Sequence, residues 1–295
     1  MGARRAFVTG SLVALLPACV LFTNFDELSE PVPATSDGAA PATGPISDAG
    51  GADARADVLT DGPSRYRDAI LADGPIVYWR MDVSGGGTVR DETGRGNDLV
   101  VEDVGAPGPG ALAGDPSRAL SFDGKASKAH ATNSAPLAFN GNAPFTIELW
   151  LERIPFSQHE EFQQIIDHAA TPGGAAAAVG YYLYYSRNED RLAFLRRGSG
   201  EPTLLVAPVS AMPANVYIHF AVTYDGSTLR AMIDGTIVST VSATDAVGER
   251  NSDFILGWNG AGRSFYPGLI DELAVYDRAL TLAELSSHRQ AALGP

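Results

Sequence analysis

Hydrophobic residues recur at every second position over most of the chain beyond residue 65. Between Pro144 and Glu152, Phe145, Ile147, Leu149 and Leu151 alternate with Thr146, Glu148, Trp150 and Glu152. From Val216 to Tyr224, Val216, Ile218, Phe220, Val222 and Tyr224 share one face, and Tyr217, His219, Ala221 and Thr223 share the other. Leu229, Ala231 and Ile233 alternate with Arg230, Met232 and Asp234. A period of two marks a strand with one buried face. Further strands are predicted at Ile76–Asp82, Asp98–Val101, Ala119–Asp123, Gln163–Asp167, Val179–Ser186, Arg191–Arg197, Thr203–Ala207, Thr236–Val241, Phe254–Trp258 and Gly268–Tyr276. The steps Asp123-Gly124, Asp225-Gly226, Asp234-Gly235 and Asn259-Gly260 punctuate these runs, because both residues of each pair tolerate the positive φ of a tight turn. Helices are predicted only at Tyr66–Ala72, with Ser64 as its cap, and at Leu282–Ala292, where Thr281 caps and Glu284 follows three residues on. So many short strands, each with one apolar face, need two packed sheets. The fold class read from the pattern is all-β: a two-sheet antiparallel β-sandwich with a short C-terminal helix.

The first 64 residues follow a different pattern. Arg4 and Arg5 precede an apolar run from Ala6 to Ala18, interrupted by Thr9, Gly10, Ser11 and Pro17. A helix spanning a bilayer needs about 20 residues; this run is shorter and fits the apolar region of a secretory signal. It ends Leu16-Pro17-Ala18-Cys19, similar to a lipobox, although Pro17 departs from the usual residue there. On that resemblance Cys19 is the lipidation site, and the chain is anchored to the bacterial envelope outside the cytoplasm. From Glu30 to Ser64, Pro, Ala, Gly, Ser, Thr and Asp dominate, with no aromatic residue. Such a segment cannot bury enough surface to offset its ordering entropy. The organisation expected is a signal segment over 1–19, a disordered linker over 20–64 and the sandwich over 65–295.

Charge narrows the partners. The formal net charge is −14, which repels phosphate backbones and argues against nucleic acid and anionic lipid. Cys19 is the single cysteine, so the sandwich has no internal disulfide and must rely on its core or a bound ion.

Four segments resemble the laminin-G-like, concanavalin A-like jelly-roll superfamily. DGPIVYWRMD followed by RDETGRGNDL is similar to its opening strand and Asp-x-x-Gly-x-x-Asn loop. ALSFDGKASKAH resembles its Phe-Asp-Gly turn, FTIELWLE its Glu-x-Trp strand, and HFAVTYDGSTLRAMIDG with GLIDELAVYDRALTLAEL its closing strands. Together they cover Tyr66 to Ala292. The resemblance implies the jelly roll; it does not choose among glycan binders, adhesion modules and glycosidases, all of which use this fold.

Several constellations are candidates for function. On strand Gly268–Tyr276, strict alternation places Leu269, Asp271, Leu273 and Val275 on one face and Ile270, Glu272, Ala274 and Tyr276 on the other. A buried carboxylate needs a cation or several donors. The resemblance implies a structural Ca²⁺ held by Asp271 with Asp82 and the carbonyl of Gly124; the alternative is a carboxylate satisfied by backbone amides or an arginine. In the run Tyr181-Tyr182-Leu183-Tyr184-Tyr185, one tyrosine face belongs to the core. The other, with Tyr182 and Tyr184, is a candidate platform for stacking on sugar rings. Trp258, Arg263 and Tyr266, with Phe265, form a second aromatic and basic patch in a glycine-rich loop. The bland reading of both patches is cross-strand packing.

Catalytic motifs are missing. Laminarinase-type relatives carry Glu-x-Asp-x-x-Glu on one strand, and no such string occurs. Glu148 and Glu152 share a face but stand too far apart for that geometry. His159-Glu160-Glu161-Phe162 begins like a zinc-protease motif, but Gln163 stands where its second histidine belongs. The function expected is therefore a non-catalytic binding module at the cell envelope, recognising carbohydrate or a surface protein. A structural or adhesion subunit without a small ligand is the alternative, and a glycoside hydrolase comes third.

Overall fold

Apolar alternation of this kind leaves each strand one face to bury and one to solvate, and antiparallel pairing arranges those faces into two layers. The computed structural model describes residues 63–294 except 86, 156–160, 171–178, 199, 201, 209, 211, 249–251 and 261–263. Cys19 and the linker as far as residue 62 lie outside the described residues, as do Arg263, His159 and Glu160, while residues 63 and 64 belong to the first helix.

Helix α1 (Pro63–Ala72) leads into β1 (Val77–Ser84), β2 (Thr88–Asp91), β3 (Leu99–Glu102), β4 (Gly108–Pro109), β5 (Arg118–Asp123) and β6 (Lys128–Ala131). A 3-10 turn (Ala135–Leu137) precedes β7 (Phe145–Arg153), β8 (Phe162–Ala170), β9 (Val179–Ser186), β10 (Arg191–Arg197) and β11 (Thr203–Pro208). Then come β12 (Tyr217–Tyr224), β13 (Thr228–Ile233), β14 (Thr236–Ser242), β15 (Ile255–Leu256), β16 (Pro267–Tyr276) and α2 (Leu282–Leu293). Every strand predicted from the alternation is present within a few residues. The short strands β2, β4 and β6 carry too little apolar pattern to have been predicted. Helix α1 starts one residue before Ser64, with Pro63 at a position where a missing N–H costs nothing. Helix α2 has the predicted capping box: Thr281 accepts from the Glu284 amide, and the Glu284 carboxylate accepts from the Thr281 amide.

Hydrogen bonding runs in the order β11-β10-β9-β8-β15-β6-β3-β2-β1-β16-β7-β12-β13-β14, with every pair antiparallel. The path doubles back at β2 and β3, giving one sheet from β11 to β3 and another from β1 to β14. One core lies between them. The first sheet contributes Tyr181, Leu183, Phe194 and Leu205; the second contributes Trp79, Ile147, Phe220 and Ile270. Each large side chain buried this way stabilises the fold by about 1.5–3 kcal/mol. The outer face of the second sheet is covered by α1 and α2, which pack Tyr66, Ile70 and Leu285 against Tyr78, Trp150 and Tyr276. The outer face of the first sheet carries the side chains considered below, of which Tyr182 and Asp167 are half-buried and Tyr184 and Gln164 buried.

The loops that carried the family resemblance are built by their aspartates. Asp91 accepts from the amides of Tyr78, Thr93 and Asn97, closing the Asp-x-x-Gly-x-x-Asn loop. Asp123 accepts from the amides of Lys125, Ala126 and Ser127, closing the Phe-Asp-Gly turn, and although burial opposes it these bonds hold its carboxyl down at about 2.

Candidate functional site

Strand β9 divides its tyrosines as alternation requires. Tyr181 and Leu183 enter the core, while Tyr182 and Tyr184 point to the outer face of the first sheet with ring centroids 5.8 Å apart. Strand β8 pairs beside them, and its register shifts between Gln164 and Ile166. The extra residue, Ile165, is buried in the core together with Ile166. A bulge of this kind inserts one residue and re-aims those that follow. Gln164 and Asp167, three apart, consequently face outward together, opposite Tyr184 and Tyr182 respectively. Phe162, 43% exposed, packs edge-on against Tyr184 at 5.3 Å.

These side chains line a cavity of about 350 Å³, closed at one side by Asn259 and Ser264. The wall is partly aromatic and its polar groups converge: the amide of Gln164, whose Nε2 donates to the Ile166 carbonyl at 2.9 Å, a carboxylate at Asp167, a hydroxyl at Ser264 and the two phenols. Burial pushes the Asp167 carboxyl up to about 7, partly offset by the bond its Oδ1 accepts from the Ala169 amide. Burial also raises both phenols above their ordinary value. Aromatic faces beside a few placed hydrogen-bonding groups are what a sugar ring requires, since its C–H faces are apolar and its rim is polar.

The laminin G family model for the concanavalin A-like lectin/glucanases superfamily matches residues 123–286. The chain belongs to this superfamily. A sequence comparison with curated proteins finds no match. Among solved structures, the chain is similar to the binding domain of Paraclostridial mosquitocidal protein 1, at 15% identity and TM-score 0.60, covering 74% of this chain and 52% of that one. It is also similar to the binding domain of botulinum neurotoxin DC in complex with SialylT (13% identity, TM-score 0.55, 73% and 51% covered). A third is the botulinum neurotoxin serotype G binding domain (15% identity, TM-score 0.57, 73% and 50% covered). The chain spans about half the length of these structures. At such identities the likeness is one of fold.

The residues singled out in the sequence fall into three places in this superfamily member. Tyr182 and Tyr184 line the cavity. Trp258 lies near it on the same outer face, its ring stacked on Phe265 at 5.9 Å, while Lys128 Nζ stands 5.0 Å from its centroid. Tyr266 belongs elsewhere: it is fully buried, and its hydroxyl donates to the Glu152 carbonyl. The expectation of a loop-borne ligand contact is corrected by Gly268, where a Cβ would stand 2.4 Å from the Glu152 oxygen and 2.5 Å from the Tyr266 ring. Without that side chain the ring lies directly on β16.

The three proposed calcium ligands do not all come together: the Asp82 charge acts on Asp271, but Gly124 lies apart from both. Strand β16 pairs with β5 from Pro267 to Ile270 and with β1 from Leu273 to Val275, so its partner changes where its register against β7 shifts, between Asp271 and Ala274. Glu272 sits in that bulge at φ 49°. Strict alternation fails here. Ile270, Leu273 and Val275 enter the core, while Asp271 and Glu272 both lie on the helix-covered side, with Trp150 and Tyr78. The Asp271 carboxylate accepts from the amides of Ala111 at 2.8 Å and Glu272 at 3.0 Å. Asp82 accepts from the Ser117 hydroxyl and the Arg118 amide. Gly124 follows Asp123, which pairs with Pro267, so it lies roughly 16 Å along the strands from Asp271. Calcium ligands stand about 2.3–2.6 Å from the ion, and these three residues do not fit one site. Among the described residues, no group of three or more His, Cys, Asp or Glu side chains is arranged to hold a metal.

Two buried polar networks occupy the helix-covered side instead. Glu272 accepts from the Tyr78 hydroxyl and from Arg80 Nε, and Arg80 also bridges to Asp115 at 2.5 Å. Glu148 is bonded to His219 Nε2 at 3.0 Å and to His288 Nδ1 at 2.9 Å, and His288 Nε2 meets Asp73 at 2.9 Å. Both networks tie helices or loops to the sheet.

Proposed function

We propose that the chain is a non-catalytic sugar-binding module, and that the cavity on the outer face of the first sheet is its binding site. The observation that supports this is the opposition of Tyr182 to Asp167 and of Tyr184 to Gln164: stacking surfaces beside acceptors and donors at hydroxyl reach. A retaining glycosidase needs two carboxyl groups about 5 Å apart, and among the described lining residues Asp167 is the one carboxylic acid. The solved complex of a similar binding domain with SialylT is in keeping with glycan recognition. Recognition of a surface protein is the second reading, favoured by half-buried Leu195 beside Tyr182 and by Leu204 and Val206 on the neighbouring strand.

A glycan array followed by titration tests the first reading. Tyr182→Ala and Tyr184→Ala are each expected to weaken a saturable glycan hit by about tenfold, the worth of one stacked ring. Asp167→Asn should alter which hydroxyl pattern is preferred. Tight glycan binding that ignores all three substitutions would sink the site.

Display at the envelope through a lipid on Cys19 completes the proposal. Mass spectrometry of the mature chain is expected to find a diacylglyceryl-modified N-terminus at Cys19, and Cys19→Ser to move the protein out of the membrane fraction. A mature chain that starts elsewhere, with an unmodified cysteine or none, would count against the anchor.

A further inference from the structure

Strand register carries the outer face sideways beyond Asp167. Tyr182 opposes Asp167, Asp167 opposes Ile255, and Ile255 opposes His130. Directly opposed residues share a face, so these four half-buried side chains form one row across β9, β8, β15 and β6. With strands about 4.8 Å apart, the row runs roughly 14 Å. At its far end lies a second cavity of about 170 Å³, lined by Glu102, Lys128, His130, Asp253, Ile255 and Trp258. Asn259, the next residue in the chain, lines the first cavity, so the two adjoin both through the Asp167–Ile255 pair and through residues 258–259.

We infer that the two cavities are subsites of one transverse groove, which takes a linear, uncharged oligosaccharide with one ring at Tyr182 and Tyr184 and a later ring at Trp258. The inference rests on the sugar-binding reading above and sets the ligand's extent and charge. A single ring does not bridge two aromatic platforms on opposite sides of the Asp167–Ile255 pair, whereas a chain of several rings does. In the second cavity the charges select against anionic glycans. Lys128 Nζ is already 3.1 Å from Glu102, and His130 Nδ1 stands 3.4 Å from the same carboxylate. Asp167 and Asp253 remain to accept hydroxyls, Asp253 repels carboxylate or sulfate groups, and the net charge of −14 repeats that preference at longer range.

Calorimetric titration of the full chain with linear gluco-, manno- and xylo-oligosaccharides, from disaccharide to hexasaccharide, tests it. In at least one series, affinity should climb with length and level off once both platforms are spanned. Trp258→Ala should lower affinity for the longest chain by about tenfold, and by more than it lowers disaccharide affinity. Tyr184→Ala should lower both. Thermal melts confirm that the variants fold, and the wild-type length profile needs no variant. Affinity independent of length, a Trp258→Ala loss equal for short and long chains, or tighter binding of uronate-containing chains would overturn the inference while Tyr184 dependence still upheld the first subsite. Binding indifferent to Tyr182 and Tyr184, or no binding in any series, would remove both.

Discussion

Glu148→Ala is expected to destabilise the protein by about 3–5 kcal/mol, the size seen when one partner of a buried charged network is removed. Glu148 is fully buried on β7 and is the shared partner of His219 from β12 and His288 from α2. Deleting it leaves two buried imidazoles without their carboxylate and unties α2 from the sheet. Urea denaturation should show the midpoint falling sharply. His288→Ala should cost less, because Glu148 keeps His219. The dependence on pH follows from the two shifts. Burial alone would raise the Glu148 carboxyl, but the two histidines hold it down at about 2 against an ordinary 4.5. A depressed acid contributes stability that is present above its unfolded value and lost as pH falls toward the folded one. Burial lowers the His288 value, but bonding to Glu148 and the charges of Glu148 and Asp73 raise it overall above its ordinary 6.5. That contribution is full below 6.5 and is lost as pH rises through the raised value. The network therefore contributes most between about pH 4.5 and 6.5. Glu148→Ala should flatten the acid limb, and an unchanged limb would show that the network does not govern it.

The two sites differ in how legible they were in the sequence, and the reason is backbone irregularity. Strands β7 and β12 keep strict alternation, and their faces and register follow from it: all eight residues from Tyr217 to Tyr224 pair in order with Glu152 to Phe145. Tyr182 and Tyr184 could be placed on the outer face for the same reason. Gln164 and Asp167 could not, because a spacing of three assigns them to opposite faces until the bulge at Ile165 is known. The same failure misassigned Asp271 and Glu272. Nothing local announces either bulge, since both arise from how neighbouring strands meet. Tyr266 read as a loop aromatic because its burial depends on the close approach of Gly268 to β7. The partners of Glu148 lie 71 and 140 residues away, and only the sandwich topology brings them together.

Asp271→Ala is expected to cost about 3 kcal/mol, from two buried amides losing their acceptor at about 1–3 kcal/mol each. The amides belong to Ala111 and Glu272, so the carboxylate fastens the loop before β5 to the bulge in β16. Because protein donors satisfy it, a chelator should leave the wild-type melting temperature where it is, and added calcium should not raise it by mass action. Burial pushes this carboxyl up to about 7 despite the two amides, and the nearby Asp82 charge pushes the same way; burial and the Asp271 charge push Glu272 up to about 8. The linkage has the opposite sign to that of Glu148. A raised acid contributes stability that is full below its unfolded value, 3.8 for Asp271, and is lost as pH rises through about 7. At pH 5 the wild-type group is the neutral acid, whose second oxygen still accepts; Asp271→Asn puts an NH2 that cannot accept against one of the two amides, so it should be less stable than wild type there. The gap should narrow toward pH 8 to 9, where wild type carries a buried charge and the amide does not. A chelator that lowers the wild-type melting temperature, with Asp271→Asn no longer responding, would restore calcium to this carboxylate and overturn its assignment to the backbone.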